Sequence, residues 1–327
     1  MSYKSTTALT LTDWAKRLDP NGKVPTIVEL LNQTNPILED MLFKEGNLAT
    51  GHRTTVRTGL PAVAWRMLNY GVQPSKSTTV PVTDTCGILE AYAEVDKELA
   101  DLHGNTNEFR LSEDQAFLEA MNQEMASSIF YGDVTKDPKK FTGLSARYSD
   151  MNAANAQNIV NAGGTGTDNA SIWLVVWGDN TVHGIFPKGK KAGLDHEDLG
   201  EVTLMDANNG KYQGYRSHYI WRNGLTVKDW RYAARCANID ISNLESTSPA
   251  DLCRNMIKLL HRIPNLGMGR AAFYMNRTLN EYLDIQSLEK SSLGIKVKET
   301  EGEWWNAFRN IPIRQCDALL NTESAVV

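Results

Sequence analysis

Cysteine is scarce in this chain of 327 residues, with Cys86, Cys236, Cys253 and Cys316 far apart and no C-x-x-C among them. That excludes a disulfide-stapled scaffold and points to free thiols in a reducing compartment. Long hydrophobic runs are missing too. The longest, Ile172–Trp177, has 6 residues, whereas a membrane span needs about 20. The start, Met1-Ser2-Tyr3-Lys4-Ser5, has no apolar leader segment, so the expectation is a soluble chain made in the cytoplasm. A surplus of positive charge is absent: 34 Lys and Arg stand against 39 Asp and Glu, a net of −5. Proteins that grip nucleic acid by counterion release carry a basic excess, so dedicated nucleic-acid binding is disfavoured. No internal repeat or low-complexity run occurs. With 41% hydrophobic and 22% charged residues the composition is ordinary for a globular chain, long enough for about two domains.

Catalytic constellations are missing as well. Gly267-Met268-Gly269-Arg270-Ala271-Ala272 spells G-x-G-x-x-A. It follows a predicted helix and Ile263-Pro264-Asn265, where a dinucleotide site needs a strand before it and a helix after it. Gly163-Gly164-Thr165-Gly166 lacks the G-K-[ST] ending of a phosphate loop. Asp195-His196-Glu197-Asp198 has four candidate metal ligands, but four adjacent residues cannot converge on one ion from a regular strand or helix. Neither H-E-x-x-H nor G-x-S-x-G is present. No cofactor is expected.

What is present is unevenly distributed. Asn35-Pro36 reads as an N-cap and first-turn proline, followed by Ile37, Leu38, Met41 and Leu42 on one face. Two Thr-rich, strand-like runs follow, Gly51–Gly59 and Ser77–Thr85, with Ala64-Trp65-Arg66-Met67-Leu68 between them. A two-stranded excursion of this length is marginal alone in water, so it predicts a partner surface. Residues 46–86 carry Arg53, Arg57, Arg66 and Lys76 against Asp84, a net of +3. Residues 90–124 carry ten acids against Lys97 and Arg110, a net of −8. Unlike charges in neighbouring segments predict electrostatic docking within or between subunits; a merely solvated charged face is the alternative.

The acidic block holds the strongest helix signal. Ser112 and Gln115 read as a capping box, and Phe117, Met121, Met125 and Ile129 recur every four residues to Tyr131-Gly132. Beyond it, Ile172–Trp177 and Val182–Phe186 around Gly178-Asp179-Asn180-Thr181 read as a hairpin. Tyr215–Trp221 and Leu225–Trp230 around Asn223-Gly224 read as another. Helices are predicted over Pro249–His261, capped by Ser248, and over Leu279–Leu288. A helix-rich first half and a mixed second half give an α+β class.

The order of these parts resembles the major capsid proteins of tailed double-stranded DNA bacteriophages, the Hong-Kong-97-type shell fold, and among them the short-tailed, podovirus-like group. The resemblance rests on Ala93–Ala100 before the acidic helix, Phe130-Tyr131-Gly132-Asp133 with Phe141-Thr142-Gly143-Leu144, Val182–Gly189 running to Asp198-Leu199-Gly200, Gly224–Arg231, and Ile311-Pro312-Ile313-Arg314. It implies an N-terminal arm over 1–45, an extended loop over 46–86, and a peripheral domain over 87–240 with a spine helix at 112–131. An axial-type domain over 241–310 and a C-terminal strand over 311–327 would complete the chain. It also implies self-assembly in the bacterial host cytoplasm into an icosahedral shell of pentamers and hexamers that encloses double-stranded DNA without sequence-specific binding. Scaffold, portal and decoration proteins are the further partners implied, and no membrane. Arg53, Arg57 and Arg66 are then expected to reach Glu113, Glu119 and Glu124 of a neighbour, with Trp65 and Met67 as apolar anchors. Some relatives cross-link a loop lysine to an asparagine. Lys76 is the only lysine of this loop and nothing places a partner beside it, so no cross-link is expected. Two other classes compete: an α+β enzyme of unknown chemistry, and a nanocompartment shell protein of related fold.

Overall fold

The computed structural model describes residues 33–102, 106–206, 208–246, 249–289, 295–300 and 303–327. The expected arm before residue 33 lies outside the described residues. A one-turn helix α1 (Ile37–Asp40) leads to the short strand β1 (Phe43–Glu45). Next come the long hairpin strands β2 (Gly51–Gly59) and β3 (Thr78–Asp96), then α2 (Lys97–Asp101) and the long helix α3 (Thr106–Tyr131). A single turn α4 (Leu144–Arg147) precedes β4 (Ile159–Asn161), β5 (Asn169–Trp177) and β6 (Val182–Phe186). The strands β7 (Leu194–Met205), β8 (Lys211–Val227) and β9 (Ala233–Asp240) complete the middle of the chain. Helix α5 (Leu252–Arg262), β10 (Arg270–Met275), α6 (Arg277–Glu289) and β11–β13 (Ile295–Thr300, Glu303–Phe308, Ile311–Gln315) close it.

The strands join in one network, in the order β11-β12-β13-β10-β5-β6-β8-β3-β2, with β1 on β6, β7 on β8, and β9 between β4 and β5. β5 is buried along its whole length, and its two faces feed two cores. Trp173, Val175 and Trp177 pack with Met125, Ile129 and Phe130 of α3. Ile172, Leu174 and Val176 pack with Leu252, Met256 and Leu259 of α5 and Leu279 and Leu283 of α6. The α+β class therefore holds, and both cores draw residues from either side of residue 240.

Several local expectations are corrected. The long helix begins at Thr106, and Ser112 is no cap: its Oγ donates to the Phe109 carbonyl at 2.8 Å inside the helix. Phe109, buried with Val95 and Leu99, extends the helix N-terminally. At 1.5 Å per residue its 26 residues span about 39 Å. The predicted hairpin at Gly178–Thr181 is absent, because both edges of β5 are taken by β9 and β10. β6 meets β5 only at the parallel pair Trp177↔Val182 and runs antiparallel to β8. Asn223-Gly224 is not a turn but the middle of β8. A Cβ on Gly224 would stand 2.6 Å from the Thr85 carbonyl, so the glycine admits β3 at close range. Asn35 does not cap α1; its Oδ1 accepts from the Ala318 amide at 3.1 Å, tying the start of the described chain to its end. Asp251 rather than Ser248 caps α5, and Ser248 lies outside the described residues.

Candidate functional site

The excursion forms as the Thr-rich runs predict. β2 pairs with the first part of β3 from Gly51↔Thr85 to Gly59↔Thr78, and from Cys86 onward β3 enters the sheet beside β8. At roughly 3.3 Å per residue the 19 residues of β3 reach about 60 Å. The hairpin is thus a cantilever whose inner half is sheet and whose outer half has no second layer. Its tip is apolar and uncovered: Trp65 is 102% exposed, Val63 91% and Leu68 85%, with Met67 and Tyr70 also open. Isolated exposed apolar residues need no explanation, but a contiguous set on one tip marks an interaction surface.

The structure does not bring the expected charge partners together within one chain. Arg53, Arg57 and Arg66 are exposed, and none makes an ion pair with a described residue. Glu113, Glu119 and Glu124 lie half-buried on α3. Glu119 and Glu124 show contacts within their own chain. Glu119 accepts from the Gln33 amide at 3.0 Å and from Gln123 at 2.7 Å, and Glu124 pairs with Lys140 at 2.6 Å. A few acids of the block also find partners on the neighbouring strand. Glu94 pairs with Arg216 and Glu90 with His218, each at 2.6 Å across the β3–β8 ladder. The block's own two cations are spent outside it: Arg110 of α3 holds Asp198 at 2.6 Å, and Lys97 holds Glu201 at 2.8 Å, both acids of β7. The His218 and Tyr92 hydrogen bonds hold the Glu90 carboxyl below its ordinary value.

Sequence reasoning missed a cleft of about 310 Å³ between β3, the C-terminal half of α3 and the segment 137–141. Ile88, Leu89, Met125 and Phe141 line it, with Glu124 and Lys140 at its rim. The sequence signal is Ile88, an apolar residue in the register that β3 otherwise gives to Glu90, Tyr92 and Glu94, and it is 61% exposed.

The decoy motifs resolve into ordinary structure. Gly267 lies in a tight turn between α5 and β10, with no helix opening on it. Along β7, Asp195 faces Arg222, His196 stacks on Tyr219 and Asp198 takes Arg110, because alternate residues of a strand point apart. Among the described residues no three His, Cys, Asp or Glu side chains gather as metal ligands, and no helix is long and apolar enough to cross a membrane. All four cysteines are free thiols.

Comparison with known proteins follows this geometry. The chain matches a chain in the structure of bacteriophage Epsilon15 at 34% identity and a TM-score of 0.78, covering 100% of this chain and 99% of that one. A chain of the bacteriophage JBD30 capsid shares the fold at a TM-score of 0.50 and 9% identity, over 89% of this chain and 92% of that one. An encapsulin from Synechococcus elongatus, at a TM-score of 0.45 and 12% identity over 71% of this chain and 97% of its own, is too remote to carry an argument. A comparison with curated proteins gave no significant match. The family model of the major capsid protein GP7 matches residues 19–327. The exposed loop, the long helix beneath the sheet and these matches agree, and the chain belongs to the phage major capsid protein GP7 family, with the Hong-Kong-97-type fold.

Proposed function

We propose that this protein, as the wall unit of the capsid shell, closes into pentamers and hexamers by laying the loop 46–86 of one copy over the α3 side of the next. The observation that carries this reading is the uncovered apolar tip around Trp65, an arrangement that a lone chain leaves in water. The same chain offers a hole for that knob, the cleft lined by Ile88, Leu89, Met125 and Phe141. A knob and a hole on different faces of one chain make a heterologous contact, and such contacts close into rings. Arg66 of the tip then meets Glu124 at the cleft rim, in exchange for part of the Lys140 pairing. Arg53 and Arg57 run along α3 towards Glu119 and Glu113, and Met67 packs beside Trp65. The division into arm, loop, peripheral domain to residue 240, axial-type domain to 310 and C-terminal strand belongs to the same reading. So do the enclosed double-stranded DNA, scaffold, portal and decoration partners, and assembly in the host cytoplasm. The mild net acidity suits an inner wall that must not clamp packaged DNA.

Sedimentation of the expressed chain tests the whole reading. Particles in the megadalton range support it, and a stable monomer of 36.4 kDa under all assembly conditions rejects it. Arg57→Glu tests its electrostatic part. Exposed pairs contribute about 0.2–1 kcal/mol each, repeated at every loop of a shell. Particle yield is expected to fall several-fold at low salt, and the deficit to shrink as salt screens the repulsion. Equal yield and equal salt resistance in parent and variant would remove the arginines from the contact.

A further inference from the structure

A cleft of about 560 Å³ lies where β2 passes the end of β8. It is lined by Thr54 and Arg57 of β2 and by Lys228, Asp229, Trp230 and Arg231, which follow β8. Its charge is one-sided. Asp229 is the single acid of the lining and is spent on Arg231, whose Nε donates to Oδ1 at 3.0 Å and Nη2 to Oδ2 at 2.7 Å. Lys228 and Arg57 make no ion pair with a described residue. The Lys228 ammonium donates to the Asp179 carbonyl at 2.7 Å, while the Asp179 carboxylate belongs to Lys44. Two cations of the cleft are therefore uncompensated.

Polar groups are stranded at the same place. Thr54 Oγ1 is buried without a hydrogen-bond partner. Side chains alternate along a strand, so His52 shares a side of β2 with Thr54. His52 meets His183 of β6 edge-on, with ring centroids 6.1 Å apart, and His183 is the register partner of Thr226, two residues before Lys228. Nδ1 of both imidazoles and Thr226 Oγ1 are also buried and unpartnered, with His183 1% exposed and Thr226 0%. Buried polar groups are nearly always paired. Four that are not, running back from a cleft with two uncompensated cations, point to a ligand rich in acceptors and negative charge.

The electrostatics agree. Burial and Lys228 push the His183 imidazole down to about 4, and the same causes lower His52. Burial and Lys44 lower Lys228 itself. Part of each shift is repulsion between cations, so the potential here is positive. A metal cation is the wrong occupant. The imidazoles sit beside two ammonium groups, and the nearby acids Asp179 and Asp84 are taken by Lys44 and Arg147. A phosphate group brings up to two negative charges and several strong acceptor oxygens, which suit hydroxyl, ammonium and guanidinium donors together.

We infer that this cleft is a phosphate site, in which the Thr54 hydroxyl and the Lys228 ammonium donate to a phosphate group flanked by Arg231. Arg57 also lines the cleft, but loop docking sends it to a neighbouring copy, so the site is assigned without it and stands whether or not the loop docks. Phosphate groups come from two sources, inorganic phosphate in solution or the diester backbone of enclosed DNA. One contact of this kind per copy is weak and salt-sensitive, in keeping with a wall that does not clamp its contents.

Thermal unfolding of the purified full-length chain tests the site, with sodium phosphate titrated at an ionic strength held constant by sodium chloride. A saturable rise in the midpoint is expected, about 2 °C at ten times the half-saturating concentration. Lys228→Met is expected to abolish the rise and Lys228→Arg to keep it. Thr54→Val, which preserves shape and removes only the hydroxyl, should weaken it, and it carries the comparison if Lys228→Met does not fold. A rise that never saturates, or that both Lys228→Met and Thr54→Val retain in full, is a general salt effect and overturns the site. A short DNA duplex in place of phosphate separates the sources. A rise that these variants diminish with phosphate alone assigns the free ion; with the duplex alone it assigns the diester backbone; with both it assigns a site open to either. No such rise with either ligand overturns the inference.

Discussion

Glu323→Ala is expected to destabilise the folded subunit by about 3–5 kcal/mol. Glu323 and Arg235 form an ion pair at 2.8 Å with side chains only 6% and 3% exposed. Arg235 is held on all sides: Nε donates to Ser171 at 3.0 Å, Nη1 to the Tyr148 carbonyl at 2.8 Å, and its guanidinium lies 5.1 Å from the Trp173 ring centre. Glu323 in turn accepts from the Tyr131 hydroxyl at 2.5 Å and from Ser171. Removing the carboxylate strands a buried cation and two buried hydroxyls at once. A pair of this kind need not beat an apolar replacement of both members, but breaking one half is costly because the other stays charged. The pair also locks the C-terminal segment. The Glu323 amide donates to the Asn169 carbonyl at 2.8 Å, and three residues on the Val326 amide donates to Asn238 Oδ1 at 2.8 Å. Urea unfolding of the subunit measures the loss. Glu323→Gln, which keeps the shape and one acceptor, is expected to fall between parent and alanine variant. A loss under about 1 kcal/mol for Glu323→Ala would mean that Arg235 finds water or another anion.

Local periodicity made much of this fold legible. The four-residue spacing of Phe117, Met121, Met125 and Ile129 placed the long helix, and Met121, Met125 and Ile129 are all buried. Leu252, Met256, Leu259 and Leu260 likewise form the buried face of α5. The Thr-rich runs gave β2 and the start of β3, since alternating β-branched residues suit an extended ladder with one open face. Pairing was harder to read, because it is set by partners distant in sequence. The loop between β5 and β6 has the residues of a hairpin turn, yet β9 and β10 occupy the flanks of β5 first. Asn223-Gly224 carries the signature of a turn, and tertiary context uses the glycine for close approach and the asparagine for a hydrogen bond to Met125.

Charge followed the same rule. Summed along the chain, residues 90–124 look like an uncompensated acidic face. In the sheet, the register of β3 against β8 sets Glu94 directly opposite Arg216 and brings His218 to Glu90. The contrast between a basic loop and an acidic block is therefore redistributed, not removed: Arg216 and Lys140 come in to Glu94 and Glu124, while Lys97 and Arg110 are spent on Glu201 and Asp198. Arg53, Arg57 and Arg66 have no ionic partner among the described residues, while Glu94 and Glu124 are taken by Arg216 and Lys140. Exposed ion pairs contribute only about 0.2–1 kcal/mol each, so the proposed subunit contact leans more on the apolar tip than on charge.

Trp65→Ala is accordingly expected to abolish shell formation while leaving the subunit folded. With the side chain 102% exposed, Trp65 contributes nothing to the packing of its own chain, and surface changes of that kind stay within about 0.5 kcal/mol of the parent's stability. Docked in an apolar cleft it is an anchor of the type that costs about 2 kcal/mol or more per contact when truncated. A closed ring makes that contact once per subunit, so a hexamer loses on the order of 12 kcal/mol, which no dilute assembly reaction tolerates. Ile88→Glu, on the lining of the cleft, should produce the same defect from the receiving side, since it sets a carboxylate where an indole must dry the surface. Both variants should unfold in urea at the parent's midpoint and sediment as monomers. Mixing them should not rescue yield, because every ring needs both an intact tip and an intact cleft at each contact. Shells at parental yield from Trp65→Ala would show that the loop closes the wall through its backbone and arginines, with the tip left in solvent.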